Sequence, residues 1–365
     1  MEYIKNHDFS IPVLDLDAEH EKQIIIDREK GQYLGHPTTV LMDDMQTMYC
    51  VYPKGHGKGE IVLKKSTDRG LTWSDRLSTP DNWSTSREVP TIYKLYDQKG
   101  TRRLFVFSGL YPIRRAVSGD DGQTWSPLKP IGDFGGMVAL SEVVPLKTPG
   151  HYMGLFHDDG RFIKGGENEH WGSPAGEVDD FKIYKTVSRD GGLSWEAPEV
   201  IVEHKQAHLC EAGAVRSPDG EQIALLMREN SRKFNSFVSF SNDEGETWSA
   251  PQQLPGALTG DRHVCCYDAE GRLIVSFRDT AHKSSTRGDF VAWVGEYSDL
   301  VKKTEGEYRI RLKKNTKELD SSYPALERLP DNTIIATTYG HWDEGEEPYI
   351  ISVRFNPKTI EKKMI

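Results

Sequence analysis

One pattern of eight residues occurs four times along the chain: Ser66-Thr-Asp68-Arg-Gly70-Leu-Thr72-Trp73, Ser118-Gly-Asp120-Asp-Gly122-Gln-Thr124-Trp125, Ser188-Arg-Asp190-Gly-Gly192-Leu-Ser194-Trp195 and Ser241-Asn-Asp243-Glu-Gly245-Glu-Thr247-Trp248. The shared form S-x-D-x-G-x-[TS]-W reads as a turn between strands. The Ser and Asp side chains accept backbone N–H bonds, the Gly supplies a positive φ, and the Trp fills apolar space between strands. The copies start at 66, 118, 188 and 241, so they lie 52, 70 and 53 residues apart. Recurrence at that interval marks a repeated supersecondary unit, which no ordinary sandwich or helical bundle supplies.

Between the turns the chain offers the same hairpin six times. The pairs are 37–42 with 47–52, 89–95 with 103–107, 138–146 with 152–156, 212–215 with 222–227, 264–267 with 273–277, and 325–329 with 333–338. Tight-turn sequences such as Ser217-Pro-Asp-Gly220 and Asp268-Ala-Glu-Gly271 join them. Six hairpins predict an all-β, six-bladed β-propeller forming one domain over residues 1–365. Blades one to four run on into a box, and the last two lack one. Trp293–Tyr297 fills the third-strand slot of the fifth blade. One of two N-terminal strands, Ile11–Leu14 or Gln23–Ile26, is expected to pair with the last blade, so that residues 1–30 close the ring and leave no long unpaired edge.

A net charge of −10 argues against nucleic acid or anionic membrane as a partner. No apolar run approaches the roughly 18 residues of a spanning helix. The first nine residues lack the apolar stretch of a signal peptide, so the expected location is cytoplasmic, or secreted or periplasmic if a leader has been removed. Cys50, Cys210, Cys265 and Cys266 lack metal-ligand spacing and read as free thiols of a reducing compartment. No cofactor or metal is expected: His36, His56, His157, His263 and His341 have no anchoring spacing among themselves. Oligomeric state is not encoded in any pattern of the sequence.

In a propeller the start of each first strand and the exit of each second strand face the same end of the central channel. Those slots hold His36, Arg87-Glu88, Met137, Glu211, Arg262-His263 and Tyr323, then His56, Ser108, His157-Asp158-Asp159, Arg228-Glu229, Arg278-Asp279 and Tyr339 with His341. The ring is polar and partly cationic on an acidic protein. It predicts a site on the face opposite the boxes, with His36, Arg87 and His157 among its substrate contacts.

The boxes resemble the Asp-box (BNR) repeat of the sialidase superfamily, whose fold is a six-bladed β-propeller. Cys210-Glu211-Ala-Gly-Ala-Val215, followed by Met227-Arg228-Glu229-Asn230, resembles the segment that carries that family's catalytic Glu and a substrate-binding Arg. Ser322-Tyr323-Pro-Ala-Leu326 resembles the segment that carries its nucleophilic Tyr. The resemblance implies that Glu211 polarises Tyr323 for attack on an anomeric carbon. A phenol, ordinarily ionising near 10 and assisted by an adjacent base, suits a substrate whose own carboxylate would repel a carboxylate nucleophile. It also implies a carboxylate clamp of arginines: Arg228, with Arg278 preferred over Arg287 and Arg262 as a further member. Two positions depart from the family. Gly35-His36-Pro37 replaces its Arg-Ile-Pro, and the loop Pro53-Lys-Gly-His56-Gly-Lys58-Gly lacks its acid/base Asp. His56, Asp158 or Asp159 could take over that proton transfer. The expected function is a sialidase-like exo-glycoside hydrolase acting on an acidic sugar of a glycan or oligosaccharide. The alternative is a carbohydrate- or protein-binding propeller without turnover.

Overall fold

The inner strands Thr38–Leu41, Thr91–Tyr96, Met137–Pro145, Leu209–Arg216, Gly260–Tyr267 and Ala325–Arg328 open six successive sheets. Each pairs antiparallel with the strand that follows it. This computed structural model, which describes residues 3–5, 7–164 and 181–362, is a six-bladed β-propeller. All six hairpins read from the sequence are present. Helix is confined, among the described residues, to Tyr297–Lys302, Pro357–Glu361 and three short 3-10 turns. The third strand of the fifth blade is Phe290–Gly295. It stops short of Tyr297, which opens the first of those helices where blades one to four place a box.

Both faces of each blade are apolar, so the core is a ring of wedges between neighbours. Ile92, Leu104 and Val106 of blade two meet Val51 and Leu63 of blade one. Phe105 and Phe107 face Leu140 and Phe156 of blade three, and Leu225 and Met227 of blade four face Met153 and Leu155. The N-terminal segment exploits the strand period of two. Phe9, Ile11 and Val13 enter the wedge between blades four and five, whereas Leu14 and Leu16 enter the one between five and six. Val13–Asp15 accordingly runs parallel to Tyr308–Lys313 on the fifth blade, not on the last. Gln23–Asp27 is the segment that pairs with Tyr349–Phe355, as the outermost strand of blade six.

The four boxes repeat one set of hydrogen bonds. Gly70, Gly122, Gly192 and Gly245 each donate N–H to the box Ser at 2.8–2.9 Å, and the box Asp accepts the N–H of Thr72, Thr124, Ser194 or Thr247 at 2.8–2.9 Å. They follow the third strands, which run antiparallel to the second, so they lie on the face away from the second-strand exits. The site face is shaped differently. His36, Val138, Glu211, Arg262 and Ser322 all have φ between 48° and 59° where the inner strands begin. In blades three, four and five that conformation coincides with a slip in register. A bulge of this kind re-aims a side chain and stores backbone strain of about 1–3 kcal/mol per residue.

Candidate active site

The funnel holds a cavity of about 550 Å3 whose lining includes His36, His56, Glu88, His157, Arg161, Glu211, Arg228, Arg232, Arg278, Asp320 and Tyr323. Glu211 reaches it because its bulge turns the side chain off the sheet. Gly213, two residues on, lets blade five pass close enough that a Cβ there would lie 1.9 Å from the His263 carbonyl oxygen. Tyr323 and Glu211 are 9% and 4% exposed, and the Tyr323 hydroxyl donates a short hydrogen bond to Glu211 Oε1. Arg228 Nη1 donates to the same oxygen at 2.5 Å and lies 3.4 Å from the Tyr323 hydroxyl. Burial, then the Glu211 carboxylate, pushes the Tyr323 phenol well above its ordinary value. The phenol is therefore neutral at rest. The environment does not lower its pKa; the proton has to leave during attack, towards Glu211.

Asp261, fully buried, is the hub of the floor and is absent from the sequence-derived candidates. Its Oδ2 accepts from Arg278 Nε at 2.9 Å and Arg232 Nη2 at 2.7 Å, and Arg228 Nε lies 3.2 Å from its Oδ1. Against the opposing effect of burial, Arg228 and Arg278 hold the Asp261 carboxyl far below the usual range. The sequence reading placed Arg262 in the funnel. The bulge at Asp261–Val264 turns it the other way: Arg262 Nη2 donates to the Ser141 carbonyl at 2.6 Å and lines a separate cavity of about 310 Å3. Arg232, reaching in from the loop after blade four's second strand, takes the third guanidinium place.

Arg228 and Arg278 thus sit where the sequence reading puts them, but their donors are engaged. Arg228 Nη2 donates to Asn230 Oδ1 at 2.7 Å, and Arg278 Nη1 donates to the carbonyls of Leu319 and Ser321. Arg287 is exposed and donates to the carbonyls of Thr280 and Ala281 at 2.9 and 3.1 Å. Arg87 is exposed too, and its neighbour Glu88 lines the cavity instead. Both precede the strand that opens at Thr91. Burial pushes the Glu88 carboxyl up to about 8.

Asp158 does not line the cavity. Its carboxylate accepts the N–H groups of Gly160, Phe162 and Ile163 at 2.8–3.2 Å and so ties off the loop that follows its strand. Asp159 pairs with Arg161 at 2.6 Å. His157 does face the funnel, where its Nδ1 accepts the Glu211 N–H at 3.3 Å; burial takes its ring down to about 4, so it is neutral. His36, which stands where the related family has its first arginine, packs edge-on against Tyr323 with centroids 4.3 Å apart. Burial keeps it neutral as well. Across the cavity, Asp320 adds a carboxylate that the sequence reading missed. Its proximity to Tyr323 in the chain is the signal that could have found it. Among the described residues no group of three His, Cys, Asp or Glu side chains is placed to hold a metal ion.

A family model described as BNR repeat-like domain matches residues 81–334, more than two thirds of the chain. No curated protein matches by sequence. Solved structures share the fold at low identity. A protein of unknown function from Dyadobacter fermentans is 14% identical, with 91% of this chain and 97% of that one covered and a TM-score of 0.69. An α-L-arabinofuranosidase from Fusarium graminearum, bound to an iminosugar inhibitor, is 12% identical over 93% and 99%, TM-score 0.66. The intramolecular trans-sialidase of Ruminococcus gnavus, bound to oseltamivir carboxylate, is 14% identical over 89% and 95%, TM-score 0.61.

Proposed function

The chain belongs to the BNR repeat-like domain family, and on that premise we propose that it is a retaining, exo-acting glycoside hydrolase with Tyr323 as nucleophile and Glu211 as its base. The observation that carries this reading is the buried hydrogen bond from the Tyr323 hydroxyl to Glu211 at the floor of the funnel. As the phenol oxygen bonds to the anomeric carbon, its proton passes to Glu211 and the glycosidic C–O bond breaks. Water then attacks the same carbon, and Tyr323 leaves with the proton returned from Glu211. Arg228, touching both residues, lies where negative charge develops on the phenol. A purely carbohydrate- or protein-binding propeller has no use for a neutral phenol held on a carboxylate in this way.

The substrate class in this reading is a glycan or oligosaccharide ending in an acidic sugar. Three guanidinium groups, Arg228, Arg232 and Arg278, meet only two carboxylates, Asp261 and Glu211, which leaves the floor cationic. A second reading rests on the occupancy of those same forks. With every guanidinium already bonded to protein acceptors and with neutral His36 in the place of an arginine, a neutral terminal sugar needs no displaced ion pair. Aryl glycosides of sialic acid, other keto-sugar acids, uronic acids, hexoses and arabinofuranose separate the two. Preferred turnover of an acidic sugar, lost in Arg228→Ala, supports the first, and preferred turnover of a neutral one replaces it. A fluorinated glycosyl donor of the preferred sugar should label Tyr323. A label elsewhere overturns the nucleophile assignment.

A further inference from the structure

The first step of that reaction also needs a proton for the departing oxygen, and the loop that supplies one in related enzymes carries no carboxylate here. The loop is nevertheless built to hold one side chain. Gly55 and Gly59 bring its two limbs so close that a Cβ at either would lie 2.3 or 2.2 Å from the carbonyl oxygen of Lys58 or Lys54. His56 stands between them, with a 57% exposed side chain on the cavity lining. Its Nδ1 is 2.6 Å from the Tyr33 hydroxyl and 3.6 Å from Asp320 Oδ1. The Tyr33 hydroxyl in turn donates to Asp320 Oδ1 at 2.6 Å.

The direction of these bonds follows from donor chemistry. A carboxylate only accepts, so the single Tyr33 proton points at Asp320, and the Tyr33 oxygen has to accept from His56 Nδ1–H. That fixes the tautomer and leaves Nε2 as the ring's reactive atom. Asp320 is secured as an anion from several sides. Its Oδ2 accepts from His341 Nε2 at 2.9 Å, and Tyr339 donates to Oδ1 at 3.3 Å. Against burial, the neighbouring His56 ring and the hydrogen bonds from Tyr33 and His341 hold Asp320 well below the usual carboxylate range. Among the described residues His36 also packs on His56, its ring centroid 4.8 Å away and itself 4.3 Å from that of Tyr323. His56 is therefore one ring removed from the nucleophile.

We propose that His56 is the acid/base catalyst of this site, with Tyr33 and Asp320 as positioning residues that orient its ring. This rests on the glycosidase reading above. In the first step His56 Nε2–H gives its proton to the glycosidic oxygen as the C–O bond breaks. In the second, neutral Nε2 takes a proton from the attacking water, which restores the imidazolium. The arrangement does the work of a loop carboxylate with an imidazole and moves the negative charge to the segment just before the nucleophile.

Phenyl and 2,4-dinitrophenyl glycosides of the sugar identified by the screen test the assignment, because the dinitrophenolate leaves without a proton. In His56→Ala the glycosylation rate should fall by about a hundredfold or more on the phenyl substrate but less than tenfold on the dinitrophenyl one, with azide restoring turnover. Equal losses on both overturn the role of His56. Tyr323→Phe should lose both substrates alike; if it retains them, the nucleophile assignment fails and the His56 result stands apart from it, whereas a wild-type protein that turns over no glycoside overturns the glycosidase reading itself. An independent measurement needs no substrate. Nitrogen-15 NMR of the neutral His56 ring should show the Nδ1–H tautomer, shifting towards Nε2–H in Tyr33→Phe and Asp320→Asn. A wild-type ring in the Nε2–H tautomer refutes the relay whatever the activity.

Discussion

Replacing Asp261 by Asn keeps its shape and removes its charge from beneath three guanidinium groups. The fully buried carboxylate touches Arg228, Arg232 and Arg278, and an amide can neither neutralise them nor accept at both ends. Its NH2 would face a guanidinium donor. Breaking a buried ion network by removing one partner costs about 3–5 kcal/mol, because the remaining charges stay buried without compensation. Unfolding entropy near the melting temperature is about 2.1 cal/mol/K per residue, or roughly 0.8 kcal/mol/K for a chain of this length, so the loss corresponds to about 4–6 °C. The carboxyl's pKa is depressed, so its contribution is fully present above the ordinary range near 3.8 and is lost only as the pH falls towards the folded value. Calorimetry at pH 7 therefore reads all of it. Adding Arg232→Gln should recover part of the loss, since it removes one stranded cation, and the double-mutant cycle should show coupling above about 1 kcal/mol. A drop of under 1 °C with additive effects would mean that water, not Asp261, neutralises the arginines.

Gly213→Ala should destabilise by about 1–3 kcal/mol and depress activity together, because its Cβ has no room against the His263 carbonyl and Glu211 shares its bulge; urea melts and initial rates unchanged from wild type would refute this. Glu88 is raised by burial from 4.5 to about 8, so its favourable contribution is complete below about 4.5 and lost as the pH climbs towards 8. Thermal melts of Glu88→Gln across pH 5–8 should accordingly decline less steeply with pH than wild type, and equal slopes would contradict the assignment.

The fold was legible because its signals are local. Each box closes its own hydrogen bonds within eight residues, and each hairpin declares itself by a turn and two apolar strands, so six blades could be counted before any tertiary contact was known. Glu211, Tyr323, Arg228 and Arg278 were placed on the funnel face for a related reason, the first two standing where an inner strand begins and the other two where a second strand ends, and the resemblance to the sialidase family singled out the same four.

What escaped was whatever a bulge or a long connection decides. The sequence places Asp261 and Arg262 side by side, and strand parity cannot say which one faces the funnel. The positive φ at Arg262 (56°) aims Asp261 inward and sends Arg262 to the other cavity. The two N-terminal strands are equally apolar as sequence. Which of them closes the last blade depends on the wedges between blades that their side chains can fill. Asp320 lies in a connection between blades and acquires meaning only where Tyr33 and His56, 287 and 264 residues away in the chain, fold back onto it. Sequence fixes hydrogen bonds that close within a turn, whereas a buried charge finds its partners only when the ring closes and water is excluded.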